Sequence, residues 1–176
     1  GWRVGEIVGY GYLLDYADFA TSSIQTWGLR FKGDSAIADG MKFLYTAEYA
    51  SQSDYKKNPA DYSVDYAFLE AGLAKGVHSV KLGYELLEGN GTKSFQTPLA
   101  TLHAFNGWAD MFLATPANGL KDAYLGAGSM LYGVKLDAVY HDYRADRGNA
   151  RNGTERNFQA TKPIAKKYLV GIKYAS

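Results

Sequence analysis

The chain has 176 residues, which suits one domain of ordinary size and argues against a multidomain enzyme. Lys and Arg number 19 against 18 Asp and Glu, so a net charge of +1 offers no global field to hold nucleic acid, and with no Cys there are no thiolate metal sites, disulfides or Cys nucleophiles. The 20 Gly and 15 Tyr, beside 47% hydrophobic and only 21% charged residues, point to β structure.

Residues 6–19 open the chain as a strand with imperfect alternation, carrying Gly9 and Gly11 among Tyr10, Tyr12 and Tyr16. In 24–33, Trp27, Leu29 and Phe31 alternate with Thr26, Gly28, Arg30 and Lys32, and in 41–52, Phe43, Tyr45, Ala47 and Tyr49 alternate with Lys42, Leu44, Thr46 and Glu48. Segment 62–74 alternates less cleanly. The clearest strand is 77–88, where Val80, Leu82, Tyr84 and Leu86 interleave with Ser79, Lys81, Gly83 and Glu85. Segment 120–131 follows, then 134–145, with Leu136, Ala138 and Tyr140 opposite Lys135, Asp137 and His141. Segments 155–162 and 167–175 close the series, the last with Tyr168, Val170, Ile172 and Tyr174 against Gly171 and Lys173. Nine strands leave almost no room for helix. The longest apolar run, Ile7 to Leu14, is far short of the roughly 20 residues of a membrane-spanning helix, but a spanning strand needs only about 9–11.

The connections alternate as well. Lys75-Gly76, Tyr132-Gly133 and 162–166 are tight and 34–40 only slightly longer, whereas 53–61, 89–119 and 146–154 are longer and rich in turn formers; 20–23 is too short to vote. One short-turn end and one long-loop end is the layout of outer-membrane barrels. Tyrosines on the apolar faces near strand ends fit interfacial girdles, and strands of 11–14 residues exceed the usual 5–6 of soluble sheets. The expected fold is an all-β, antiparallel meander transmembrane β-barrel of porin-like type, with 1–176 as a single barrel domain or the C-terminal part of a larger one. A soluble ligand-binding β-barrel shares the period and stays open as an alternative.

Phe105-Asn106-Gly107-Trp108-Ala109-Asp110-Met111-Phe112-Leu113 is followed by Thr115-Pro116-Ala117-Asn118-Gly119-Leu120-Lys121-Asp122, by the hairpin from Gly133 to Tyr143 and by Ala145-Asp146-Arg147-Gly148. This stretch resembles alginate-export-like outer-membrane porins of Gram-negative bacteria, by wording over 105–148 and by pattern over about 60–175. The resemblance implies a barrel of well over 176 residues in the bacterial outer membrane, with a polar lumen and inserted loops. In that family a polyuronate is gripped from arginine-rich lumen strands, where this sequence offers Arg30 and Arg156.

The polar faces define the candidate pore lining: Asp15, Arg30, Lys32, Lys42, Glu48, Lys81, Glu85, Lys135, Asp137 and Lys173. Charges confined in a narrow low-dielectric tube select permeants by sign; the alternative is that they solvate a wet interior or pair across strands. The connection 89–119 is too long for an idle hairpin loop, and Leu99, Leu102, Phe105, Trp108, Phe112 and Leu113 need something to bury against. It is read as a segment folded inward to narrow the pore, with His103, Phe105, Trp108 and Asp110 as constriction residues and a short helix near Gly107 to Leu113; a lid over the mouth is the alternative.

Enzyme readings lack a signature. His78, His103 and His141 lie on different segments without ligand-spaced partners, so neither metal nor cofactor is expected, and a hydroxyl nucleophile at Ser129 or Ser79 has no motif behind it. Asn90-Gly91-Thr92 and Asn152-Gly153-Thr154 are read as loop turns. The expected function is passive diffusion or export of hydrophilic solutes, including oligosaccharide or an anionic polymer, with outer-membrane lipid around the barrel and a homo-oligomer or partner protein left open. A barrel that sheathes a partner protein is the second alternative. Because bacterial single-chain barrels have even strand numbers, nine strands predict at least one returning strand after Ser176, and the resemblance implies more strands before Gly1.

Overall fold

The computed structural model describes residues 5–100, 105–165 and 167–176. The strands are β1 (Glu6–Leu14), β2 (Ile24–Ala36), β3 (Met41–Asp54), β4 (Ser63–Lys75), β5 (His78–Leu87), β6 (Leu120–Leu131), β7 (Val134–Arg144), β8 (Arg151–Ile164) and β9 (Tyr168–Ala175). Each is antiparallel to the next, giving one nine-stranded meander with β1 and β9 at open edges.

Three boundaries differ from the sequence reading by three residues or more. β1 stops at Leu14 instead of residue 19, because the chain turns through a 3₁₀ helix, Ala20–Ser22, and the Tyr16 amide is taken by Ser23 Oγ at 2.9 Å. β2 runs on to Ala36, paired with Lys42, so the connection shrinks to a tight turn through Asp39 and Gly40. β8 begins at Arg151, four residues early, with a register irregularity at Tyr143/Arg144 accommodating the entry. The Tyr132-Gly133 turn has φ of 52° and 75°, the two left-handed residues of a type I′ hairpin.

Alternation sorts the side chains onto two unlike faces. The inner face carries Arg30, Glu48, Glu70, Lys81, Asp122 and Glu155 and is covered by part of the 88–119 segment; the outer face carries Leu29, Leu69, Leu82, Leu125, Phe158 and Ile172, each more than half exposed. Buried apolar residues lie on the inner side, where Ala50, Val64, Leu87, Leu120 and Tyr143 pack with Phe95 of the long segment.

The outward apolar band crosses the sheet obliquely. It is centred on Leu29 in β2 and, counted from Phe158 to Ile164 across the outward Lys162, near Ala160 in β8; the ladder carries Leu29 through Tyr49, Ala67, Leu86 and Lys121 to Arg144 on β7, whereas Ala160 pairs with Leu136. From 144 to 136 the band slides eight residues over the six steps from β2 to β8. With about 3.3 Å per residue and about 4.8 Å between strands, that slope is a tilt of about 40° between the strands and the band normal. On β4 the band is bracketed by outward Asp65 and Lys75, ten residues apart, which at this tilt makes it about 25 Å tall.

Candidate functional site

The inner face and the segment pressed against it border a half-open cavity of about 890 Å³, lined by Tyr10, Arg30, Glu48, Phe105, Trp108 and His141 among others. The segment leaves β5 through a turn in which Asn90 Oδ1 accepts from the Thr92 and Lys93 amides at 3.0 and 2.9 Å, the local bonding that suits Asn to loops. Phe95 then stacks on Tyr66 with ring centroids 5.2 Å apart. The buried Gln52 amide bonds the Gln96 backbone in both directions, donating at 2.8 Å and accepting at 2.9 Å, as a neighbouring strand would.

Further along, carboxylates of the sheet hold the segment. Asn106 Nδ2 donates to Glu85 Oε2 at 2.7 Å, and the Tyr66 hydroxyl donates to the other oxygen of Glu85 at 2.7 Å. The Trp108 and Ala109 amides both donate to Glu155 Oε1, the second at 3.0 Å. Phe112 packs on Tyr143 at 4.8 Å, and Lys173 of β9 lies over the Trp108 ring at 4.3 Å. Glu85, Asp122, His141 and Glu155 are all buried here, with His141 Nδ1 2.8 Å from Asp122 Oδ2. No helix forms over Gly107 to Leu113, because Asn106, Gly107 and Asp110 all have left-handed φ, at 53°, 89° and 58°. A Cβ on Gly107 would collide with the Tyr143 hydroxyl and the Glu155 carboxylate, so glycine lets the segment reach the wall.

Two constellations of the same design line the wall. Tyr10 on β1 lies over Gly28 of β2 and donates to Glu48 Oε1 on β3 at 2.6 Å, and Arg30 stands 3.6 Å from the same carboxylate. Tyr124 on β6 lies over Gly83 of β5 and donates to Glu70 Oε2 on β4 at 2.7 Å, with Lys81 at 3.1 Å from Glu70. In each, glycine on the middle strand gives the ring room to lie flat.

Of the residues read from sequence, Arg30, Lys32, Lys42, Glu48, Lys81, Glu85, Lys135, Asp137 and Lys173 lie on the inner face. Asp15 does not: it is exposed in the connection after β1. Arg156 points outward, since it pairs with outward Tyr140. Phe105 and Asp110 are exposed and Trp108 half-buried, while His103 lies outside the described residues. Sequence reasoning missed Asp122 and Glu155, which sit on less regular segments, and Asn106 in the long connection, and it put His141 on the polar face without a site role; parity with Lys135 and Asp137 through the ladder is the signal that finds Asp122 and Glu155.

Three ion pairs of the inner face sort charge by depth, while Lys42 and Asp34, 2.9 Å apart nearer the short-turn end, are both about half exposed. Side chains of Arg30, Lys81 and Lys135 are 45%, 42% and 58% exposed, whereas their partners Glu48, Glu70 and Asp137 are 14%, 17% and 24%. Cationic heads thus face the open space and carboxylates withdraw into the wall. Ser129 Oγ and His78 Nδ1 are 2.9 Å apart on the outer face, but among the described residues no acid completes a catalytic set with them and no group of metal-ligating residues forms. Comparison with protein-family models, with curated proteins and with solved structures finds no match for the chain.

Proposed function

We propose that the chain is part of a transmembrane β-barrel of a bacterial outer membrane that works as a passive channel for hydrophilic solutes, with the 88–119 segment narrowing its lumen. The observation that carries the reading is the oblique outward band. Its height of about 25 Å and slope of about 40° are those of the lipid-facing belt of outer-membrane barrels, and side chains such as Leu82 (64% exposed) and Ile172 (77%) stand on it where a soluble barrel would place polar groups. The resemblance of 105–148 to alginate-export-like porins points the same way.

The depth-sorted charge supports a preference for anionic permeants, since a confined solute meets Arg30, Lys81 and Lys135 ahead of their carboxylate partners. Planar-bilayer recording on the detergent-extracted protein tests the proposal. Ohmic current with a reversal potential displaced toward the anion equilibrium is expected; absence of current would favour a sheath around a partner protein, and solubility without detergent would overturn the membrane reading.

A further inference from the structure

On the outer face, where β6, β7 and β8 approach the long-loop end, the cations crowd. Lys121 is directly opposite Arg144, and Arg144 directly opposite Arg151, while Arg156 follows on the same face of β8. Like charges facing each other across strands are unfavourable without a counter-ion. The available carboxylates are too few: Asp142 is shared by Arg144 at 3.3 Å and Arg151 at 3.6 Å, and Asp146 takes Lys121 at 3.1 Å. Arg156 makes no ion pair among the described residues. Four cations against two carboxylates leave a local excess of two positive charges.

Position gives the excess its meaning. The patch lies on the upper border of the apolar band: exposed Phe158 is the next outward residue after Arg156, and exposed Leu125 and Tyr140 follow Lys121 and Arg144 one outward residue further on. The same border on β2 to β4 carries Gln25, Ser51, Ser53, Ser63 and Asp65, so the charge is local to one sector and is no general property of the rim. A ligand that suits both features has a phosphate for the guanidiniums and acyl chains for the apolar residues beneath. Arginine forks bind phosphate in two-pronged fashion, and basic clusters at membrane borders take anionic headgroups.

We infer that this sector binds the phosphate of a membrane lipid in the leaflet at the long-loop end, with its chains lying on Leu125, Tyr140 and Phe158. The inference rests on the membrane reading proposed above. The test measures retention of bisphosphorylated lipid A and of phosphatidylcholine by the detergent-extracted protein, using native mass spectrometry, for the parent, for Arg156→Gln and for the triple variant Arg144→Gln/Arg151→Gln/Arg156→Gln. Removal of one guanidinium is expected to weaken lipid A retention by about tenfold, so Arg156→Gln alone shows the effect even where the triple variant folds poorly; phosphatidylcholine retention stays unchanged. Equal lipid A retention by Arg156→Gln and parent overturns the inference. So does displacement of lipid A by millimolar inorganic phosphate, which would mark a site for a free anion. A protein that needs detergent yet shows either result leaves the membrane reading standing, whereas one that dissolves without detergent fails that reading first.

Discussion

The Tyr124 hydroxyl donates to Glu70 Oε2 at 2.7 Å although β5 lies between their strands. The reach depends on Gly83, over which the ring lies flat, since a Cβ there would fall within the ring. Gly83→Ala is therefore expected to drive Tyr124 off the wall and destabilise the fold by about 1–3 kcal/mol, the usual cost of overpacking. Tyr124→Phe, which keeps the ring and loses one hydrogen bond, should cost only about 1 kcal/mol. Denaturant unfolding in detergent micelles compares the two; equal losses would mean that the ring's position is not set by the glycine.

Phe95 links the long segment to the buried cluster through its stack on Tyr66 and is 5% exposed. Truncation to alanine leaves a cavity at the junction of sheet and segment and is expected to cost about 3 kcal/mol. The same variant should make the segment a better protease substrate in intact protein, readable as faster cleavage between β5 and β6. Unchanged cleavage would mean that the hydrogen bonds of Gln52 and Glu155 hold the segment without the ring.

Glu155 and Asn106 tie the segment to the wall at 105–109. The double variant Asn106→Ala/Glu155→Gln should loosen that attachment while keeping the segment's length. If the segment narrows the lumen, single-channel recordings will show larger conductance or frequent steps between two levels. Deletion of Leu99 to Leu113 should raise conductance further, and identical currents from all three proteins would place the segment outside the conduction path.

Lys81 and Lys135 each sit 3.1 Å from a carboxylate and keep about half their side chain exposed toward the inner space. Changing both to Glu puts like charges beside Glu70 and Asp137 and, if the inner face lines a conduction path, reverses the sign that a permeant meets. The reversal potential in a salt gradient is expected to move toward cations, more at low ionic strength than at high, because screening shortens the reach of the field. A reversal potential that does not move would show that these heads do not control entry.

The strands are largely legible in the sequence because a two-residue period leaves a mark in each, plainest from Val80 to Leu86, and the turns Lys75-Gly76 and Tyr132-Gly133 punctuate them. The end of β1 is not: Tyr16 and Phe19 continue the aromatic character of the strand after the backbone has turned, the turn being set by the Ser23 hydroxyl. Which face is inner is also invisible locally, since alternation is symmetric. The attachment of the long segment escapes for a different reason. Asn106 and Glu85 are 21 residues apart, and Trp108 and Glu155 are 47 apart, with no periodic relation between them. Such pairs become neighbours only once the ladder fixes which strand lies beside which.

The segment between β5 and β6 touches the sheet from Gln52 on β3 to Lys173 on β9, six strands apart. Between these ends it also meets Tyr66 on β4, Glu85 on β5, Tyr143 on β7 and Glu155 on β8. A change in how these strands lie relative to one another would strain that row of contacts, because packed groups tolerate little displacement. The insert is thus a brace: it ties strands that are not neighbours in the ladder, so the fit of the segment and the shape of the sheet are mechanically one variable. Substitutions that shorten or soften the brace should alter the shape of the whole sheet, including strands that the segment never touches.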